Sequence, residues 1–210
     1  MKIERRFVPD MEIRVEGEAR RISGHFAVFD RFSPTYGRFR EKIAPGFFDE
    51  ALTRSDTVAL FNHDNSKILG RQSAGTLRLA VDGTGLHGVI DPVPNTPTGN
   101  EVMENLSLGN LKGASFAFSV APDGDTFIKA ADGVLERTLL KAGELFDVSV
   151  VTTPFYPQAG VAARGVEASL DGAFADWEAR TAPEAPEAPA APEKGPELVH
   201  ELLDLISLGG

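Results

Sequence analysis

Residues 112–120 read Lys-Gly-Ala-Ser-Phe-Ala-Phe-Ser-Val, a run in which large apolar side chains alternate with small ones. Successive side chains of a β-strand point to opposite faces, so this run predicts a strand with one packed face and one small, polar face. The packed face comprises Phe116, Phe118 and Val120, and the polar face comprises Ser115, Ala117 and Ser119. A hydroxyl on the polar face can stay accessible, and we hypothesise that Ser115 is a nucleophile.

The residues around Ser115 also resemble a nucleophile elbow, the strand–turn–helix motif of many hydrolases. An elbow requires a helix after the serine, with a glycine that permits close packing. Here the serine is followed by more alternating residues and then by the turn sequence Ala121-Pro122-Asp123-Gly124. The elbow is therefore disfavoured, and on this segment alone the ordinary alternative is a serine that fills a half-exposed strand face.

The composition limits the classes of function. A chain of 210 residues with 42% hydrophobic content can bury the core of one domain and leave a tail. The net charge of −10 argues against a nucleic-acid binder, which requires a basic stripe to neutralise phosphates. Cysteine is absent, which excludes disulfides, thiolate zinc sites and cysteine nucleophiles. We expect no cofactor and no metal.

Membrane and export signals are absent from the sequence. No apolar run is long enough to span a bilayer, and residues 1–7 lack the apolar region of a signal peptide. The sequence therefore predicts a soluble, cytosolic protein that does not bind a membrane.

Alternating and β-rich runs dominate the first two thirds of the chain and predict strands. Runs with helical spacing or a helix-starting proline predict two helices, over residues 47–54 and between residue 98 and Gly109. The expected fold class is thus mainly β with flanking helices, of the α+β kind. The predicted strands cover residues 12–19, 22–29, 38–43, 57–61, 76–81, 86–90, 112–120, 126–131, 134–140 and 144–151.

The pattern changes after residue 165, so we place the main domain at residues 1–165. Apolar residues from Val166 to Trp177 recur at helical spacing, which predicts a terminal helix over 166–180 that packs on the domain or on a partner. Residues 181–197 are rich in proline, alanine and glutamate, which predicts a disordered linker. Residues 198–210 then form a short amphipathic helix that cannot bury its apolar side alone, which suggests a targeting peptide.

A nucleophilic serine needs a base, and histidine is the usual one. His25 and His87 lie inside predicted strands, and His200 lies beyond the linker. His63 instead follows the apolar run 57–61 in the polar cluster Asn-His-Asp-Asn, a strand end where functional groups often collect. We select His63 as the candidate base, with a solvated loop histidine as the ordinary alternative.

The base needs a carboxylate to orient it, and Asp147 is the strongest candidate. It lies within Leu-Phe-Asp-Val-Ser-Val-Val, where a charge must be paired or exposed at an edge. An outward-facing aspartate is the ordinary alternative. We expect Asp147 to share its strand face with Leu145 and Ser149. Asp64 is a rival, but adjacent residues of an extended segment point apart and do not readily pair with each other.

Several blocks of the sequence resemble those of the tailed-phage prohead proteases, in the same order and spacing. Upstream runs at residues 24–29 and 41–48 resemble that family's opening blocks, so the likeness covers residues 10–165. The main blocks are Phe61-Asn62-His63-Asp64 with Leu69-Gly70-Arg71, Gly113-Ala114-Ser115-Phe116-Ala117-Phe118, and residues 145–157, Leu-Phe-Asp-Val-Ser-Val-Val-Thr-Thr-Pro-Phe-Tyr-Pro.

The resemblance implies a serine endopeptidase related to the herpesvirus assembly proteases, with a distorted antiparallel β-barrel flanked by helices. It implies that Ser115 attacks and that His63 is the base. The family usually has glutamate where this chain has Asp147, and glycine where it has Ala117. Asp147 keeps the charge on a side chain shorter by a methylene.

The resemblance also implies a substrate and a place of action. The substrate is the N-terminal scaffolding segment of the major capsid protein, cut inside the procapsid in the bacterial cytoplasm, together with the protease itself. The source is then a phage, a prophage or a phage-like gene transfer agent, and self-association is expected. Backbone N–H groups would form the oxyanion hole, with Arg71 and Arg164 as candidate side-chain donors.

Two other functions fit the same sequence. A non-catalytic capsid assembly or scaffolding protein would keep the fold and use its tail as a packaging signal. A serine hydrolase of small esters would keep the catalytic residues but would cleave no capsid protein.

Overall fold

The structure is a computed structural model that describes residues 2–8, 14–15, 20–152 and 161–182, with the side chains of residues 161–164 left aside. These residues form twelve strands and three helices. In chain order they are β1 (Glu4–Val8), β2 (Arg14–Val15), β3 (Ile22–Val28), β4 (Phe39–Ile43), α1 (Asp49–Arg54), β5 (Val58–Phe61), β6 (Asp64–Arg71), β7 (Leu77–Val81), β8 (Gly85–Ile90), α2 (Pro97–Ser107), β9 (Gly113–Val120), β10 (Asp125–Lys129), β11 (Leu135–Leu139), β12 (Ala142–Val151) and α3 (Val161–Thr181).

The strands are organised in three sheets. The largest has the order β1-β9-β12-β5-β6, a second has the order β2-β3-β8-β7, and the third has the order β10-β11-β4. Most neighbours are antiparallel, but β12 pairs with β5 in parallel and β11 pairs with β4 in parallel. The predicted mainly β class with helices is confirmed. None of these sheets closes on itself within the described residues, so the predicted herpesvirus-type barrel is not confirmed.

Strand β9 lies inside the largest sheet and is buried on both faces. Phe116 and Phe118 are 0% exposed and meet the rings of Phe48 and Phe47 at centroid distances of 5.5 and 5.4 Å. The predicted aromatic face is therefore confirmed. The opposite face is less accessible than expected, since Ser115 is only 4% exposed.

Strand β12 contains a bulge that changes which side chains share a face. Leu145 pairs with Phe118 and Asp147 pairs with Ala117, so Phe146 has no partner across the ladder. Paired residues of an antiparallel ladder point to the same face. Leu145 therefore joins the aromatic core, whereas Asp147 faces the Ser115 side. The prediction that Leu145 shares a face with Asp147 is wrong because the extra residue inverts the alternation.

Helix α3 begins before its predicted start and packs on the three-stranded sheet. Its Leu170 and Ala173 are buried in a cluster with Phe39 of β4 and Phe127 of β10. The described residues up to Arg180 form one compact unit. The predicted linker and amphipathic helix lie outside the described residues from 183 onward and stay predictions, as does the domain boundary at 165.

A buried network of charges ties β1 to the three-stranded sheet. Arg137, with a side chain 1% exposed, contacts Glu4, Glu41 and Asp125 at 2.8, 2.9 and 2.8 Å. Arg6 also bonds to Glu41 at 2.5 Å. Burial alone would raise the pKa of Glu4, but hydrogen bonding to Arg137 and the charge of Arg6 hold it at about 2. The network therefore fixes β1, the strand that pairs with β9, against the three-stranded sheet.

Removing the central cation of this network should be strongly destabilising. We expect Arg137→Met to lower the free energy of unfolding by about 3–5 kcal/mol, because buried carboxylates lose their partner. Chemical denaturation followed by circular dichroism measures this change. The matched control is Arg78→Met, which removes a 58% exposed side chain that bridges to Asp91 at 3.4 Å and should cost less than about 1 kcal/mol. Equal effects of the two changes would contradict a stabilising role for the network.

Candidate active site

Three predicted site residues come together on one face of the largest sheet. Ser115 lies in β9, Asp147 lies in β12, and His63 lies in the turn between β5 and β6. Because β12 is placed between β9 and β5, its polar face bridges the serine strand and the histidine turn. The sheet order thus brings together side chains that are far apart in sequence.

His63 occupies an unusual backbone position. Phe61 pairs with Asp64, so Asn62 and His63 form a two-residue hairpin turn, with φ angles of 55° and 56°. Positive φ at both central residues is the signature of a type I′ turn, which prefers asparagine followed by glycine. Asn62 fits this preference. His63 is held at a position where a Cβ atom costs about 1 kcal/mol or more.

The turn is fastened to β12 by hydrogen bonds. The Asn62 N–H donates to Val150 O at 3.0 Å, and the Thr152 N–H donates to Asn62 Oδ1 at 3.0 Å. The His63 N–H donates to Ser149 Oγ at 3.2 Å. These bonds hold the strained residue against the strand that carries Asp147.

The side chains of the site form a continuous hydrogen-bond chain. His63 Nδ1 lies 2.6 Å from Asp147 Oδ1, and His63 Nε2 lies 2.5 Å from Ser115 Oγ. With the proton on Nδ1 donated to the carboxylate, Nε2 is free to accept the serine hydroxyl proton. The arrangement can therefore activate a serine for nucleophilic attack, as a serine–histidine–carboxylate triad does.

Two further groups contact this chain. Ser149 is 0% exposed, and its Oγ donates to Asp147 Oδ1 at 2.8 Å. Ser115 Oγ also lies 2.9 Å from the backbone oxygen of Arg6 in β1, whose neighbour Phe7 is the cross-strand partner of Ser115. Sequence reasoning assigned no role to either group. The available signal for Ser149 was its spacing of two residues from Asp147 on an apolar strand.

The alternative candidates Asp64 and His25 form hydrogen bonds with residues outside the triad. Asp64 accepts hydrogen bonds from the backbone N–H and hydroxyl of Ser66 at 2.9 and 2.6 Å. His25 pairs with Asp82 at 2.8 Å in the four-stranded sheet and meets the ring of His87 edge-on at 5.1 Å. Asp82 has a pKa of about 2, lowered by the Gly85 N–H, by His25 and by the Thr84 N–H. His200 lies outside the described residues.

Neither of the predicted oxyanion donors, Arg71 and Arg164, has a described contact with Ser115 or His63. The Arg71 guanidinium pairs with Asp56 at 2.6 Å on the surface, and its described bonds do not reach Ser115 or His63. The side chain of Arg164 is outside the described part of the chain. Both assignments stay predictions.

Residues 2–8, 14–15, 20–152 and 161–182 contain no cluster of three or more His, Cys, Asp or Glu side chains arranged to hold a metal ion. Each helix in the described part of the chain is too short or too polar to span a bilayer.

Comparison with known proteins identifies the family. The family model described as caudovirus prohead serine protease matches residues 9–171. No curated protein matches the sequence. Among solved structures, that of the bacteriophage T4 capsid assembly protease, gp21, is similar, with 13% sequence identity and a TM-score of 0.42. The match covers 72% of this chain and 99% of the T4 chain.

Proposed function

This chain belongs to the caudovirus prohead serine protease family, and we propose that Ser115, His63 and Asp147 are its catalytic nucleophile, general base and orienting carboxylate. The observation that carries the proposal is the unbroken chain from Asp147 Oδ1 through both nitrogens of His63 to Ser115 Oγ, with distances of 2.6 and 2.5 Å. The family makes the protein a serine protease of capsid maturation.

The geometry supports acyl transfer. His63 Nε2 accepts the hydroxyl proton of Ser115 as Oγ bonds to the carbonyl carbon of the scissile peptide. The imidazolium then donates that proton to the leaving amine, and the peptide C–N bond breaks to leave an ester on Ser115. Water, deprotonated by the same nitrogen, hydrolyses the ester and restores the serine. Asp147 stabilises the imidazolium at both stages because its carboxylate stays ionised and accepts a hydrogen bond from Nδ1–H.

Stabilisation of the tetrahedral oxyanion requires N–H donors aimed at the developing charge. Backbone amides near Ser115 supply these donors in our proposal, with Arg164 or Arg71 as an added cation. Arg71 can take this role only after it releases Asp56, whose pKa is lowered by the Ser73 N–H and by Arg71 itself.

For the substrate, we propose the N-terminal scaffolding segment of the major capsid protein, together with the protease itself, inside the procapsid. Family membership supports this substrate class. The net charge of −10 is also consistent with a protein rather than a nucleic acid as the partner.

Co-expression with the major capsid protein of the same particle tests the substrate. Intact-mass spectrometry should show loss of an N-terminal segment from the capsid protein with the wild-type protease and no loss with Ser115→Ala. New masses of the wild-type protease would locate self-cleavage. Ser119→Ala is the matched control, since it removes another buried hydroxyl of β9 and should leave processing intact. Normal maturation with Ser115→Ala would favour the non-catalytic assembly protein instead.

A further inference from the structure

Ser149 contacts two members of the proposed triad. Its Oγ donates a hydrogen bond to Asp147 Oδ1 at 2.8 Å and accepts one from the backbone N–H of His63 at 3.2 Å. The same oxygen lies 3.3 Å from His63 Nδ1. A single hydroxyl therefore contacts both the carboxylate and the main chain of the histidine.

Because this hydroxyl carries a single proton, the direction of each of its hydrogen bonds can be assigned. A serine has one O–H to donate, and a carboxylate can only accept, so the proton lies between Ser149 and Asp147. The two lone pairs of Oγ then face the His63 N–H and the Nδ1–H. In this arrangement Nδ1 must carry its proton, which leaves Nε2 as the acceptor toward Ser115.

The position of Ser149 in the sheet explains why it can make these contacts. It pairs with Ser115 across β9 and with Leu60 across β5, so it lies between the nucleophile and the strand that leads into the histidine turn. It is 0% exposed, so water does not compete for its bonds. The bulge at Phe146 lies upstream of both Asp147 and Ser149, so the two residues stay on the same face.

The triad has two features that need such support. His63 is held at φ 56°, a conformation that its own side chain disfavours. The Oδ1 atom of Asp147 accepts hydrogen bonds from both His63 Nδ1 and the Ser149 hydroxyl, so the orientation of this short carboxylate depends on Ser149 as well as on the histidine. We propose that Ser149 is a positioning residue that holds the Asp147 carboxylate and the His63 backbone in the reactive arrangement. This inference rests on the proposed function and adds to it a fourth residue that does not touch the substrate.

The test is a kinetic comparison of Ser149→Ala with wild type, on a peptide that spans the mapped capsid cleavage site. We expect kcat to fall roughly 10- to 100-fold, the effect of losing a hydrogen bond to a charged group, while KM stays within about twofold. The matched control is Ser119→Ala, because the Ser119 hydroxyl is also buried but has no hydrogen-bond partner among the described residues. Its kcat should not change.

A double-mutant cycle separates positioning from a general structural effect. If Ser149 acts through Asp147, then Ser149→Ala should lower kcat by less than about threefold in an Asp147→Asn background. An unchanged kcat in Ser149→Ala, or the same loss in both backgrounds, overturns the inference. If Ser149→Ala does not fold, Ser149→Cys takes its place, because it keeps the number of side-chain heavy atoms and offers only a weak donor. An unchanged kcat in Ser149→Cys overturns the inference as well.

The proposed catalytic triad and the positioning role of Ser149 are tested by different variants. Retained cleavage in Ser115→Ala would overturn the triad itself, whatever the Ser149 variants do. Loss of cleavage in Ser115→Ala with wild-type kcat in Ser149→Ala would leave the triad standing and remove only the positioning role.

Discussion

Replacing Ser115 by alanine is expected to lower the rate of peptide cleavage by a factor between about 10³ and 10⁶. The hydroxyl is the attacking group in the proposed mechanism, and no other described serine lies 2.5 Å from His63 Nε2. Single-turnover kinetics on the mapped capsid peptide measures this loss. The fold should survive, because the change removes one hydroxyl and adds no volume.

Thermal unfolding of Ser115→Ala distinguishes loss of chemistry from loss of structure. The melting transition should lie close to that of wild type, and the peptide should still bind with similar affinity. Cleavage at a rate within tenfold of wild type would show that another residue is the nucleophile.

Replacing Asp147 by asparagine should have the next largest effect, a fall in kcat of roughly 10⁴-fold. The neutral amide removes the negative charge that stabilises the imidazolium. Its NH₂ group can also donate toward Nδ1, which favours the tautomer whose proton is on Nε2 and cannot accept from Ser115. Steady-state kinetics with the same peptide measures kcat and KM separately.

Asp147→Glu separates the effect of the carboxylate charge from the effect of side-chain length. It restores the residue usual in the resembled family and keeps the charge, but adds a methylene at a site where the carboxylate is already 2.6 Å from His63. We expect an intermediate kcat, well above that of Asp147→Asn and below wild type. A value for Asp147→Asn within tenfold of wild type would exclude Asp147 as the orienting carboxylate.

Much of the local structure was predictable because successive side chains of a β-strand alternate between its two faces. Alternating side chains located β9 between Gly113 and Val120, and turn residues located the hairpin of β7 and β8 around Asp82. The apolar run at residues 57–61 placed His63 at the end of a strand. These features depend on residues that are close in sequence, so the sequence alone is enough to predict them.

Pairing between distant strands was not predictable in the same way. Nothing in residues 4–8 indicates that they pair with β9 or that the backbone oxygen of Arg6 contacts Ser115 Oγ. The bulge at Phe146 was also missed, because the adjacent apolar residues Leu145 and Phe146 also fit a regular buried strand, and only the register with β9 reveals the extra residue. Ser149 was overlooked for a related reason, since its role depends on a histidine turn brought alongside by the sheet.

The hairpin turn at His63 has a consequence for protein engineering. Glycine is the residue that a type I′ turn prefers after asparagine, so an effort to stabilise this hairpin by sequence statistics would place glycine at position 63. That substitution relaxes the backbone and removes the base in one step. The stability of the hairpin and the protease activity thus favour different residues at position 63. A homologue with Asn-Gly in this turn would lack the catalytic base and would therefore be an inactive member of the family.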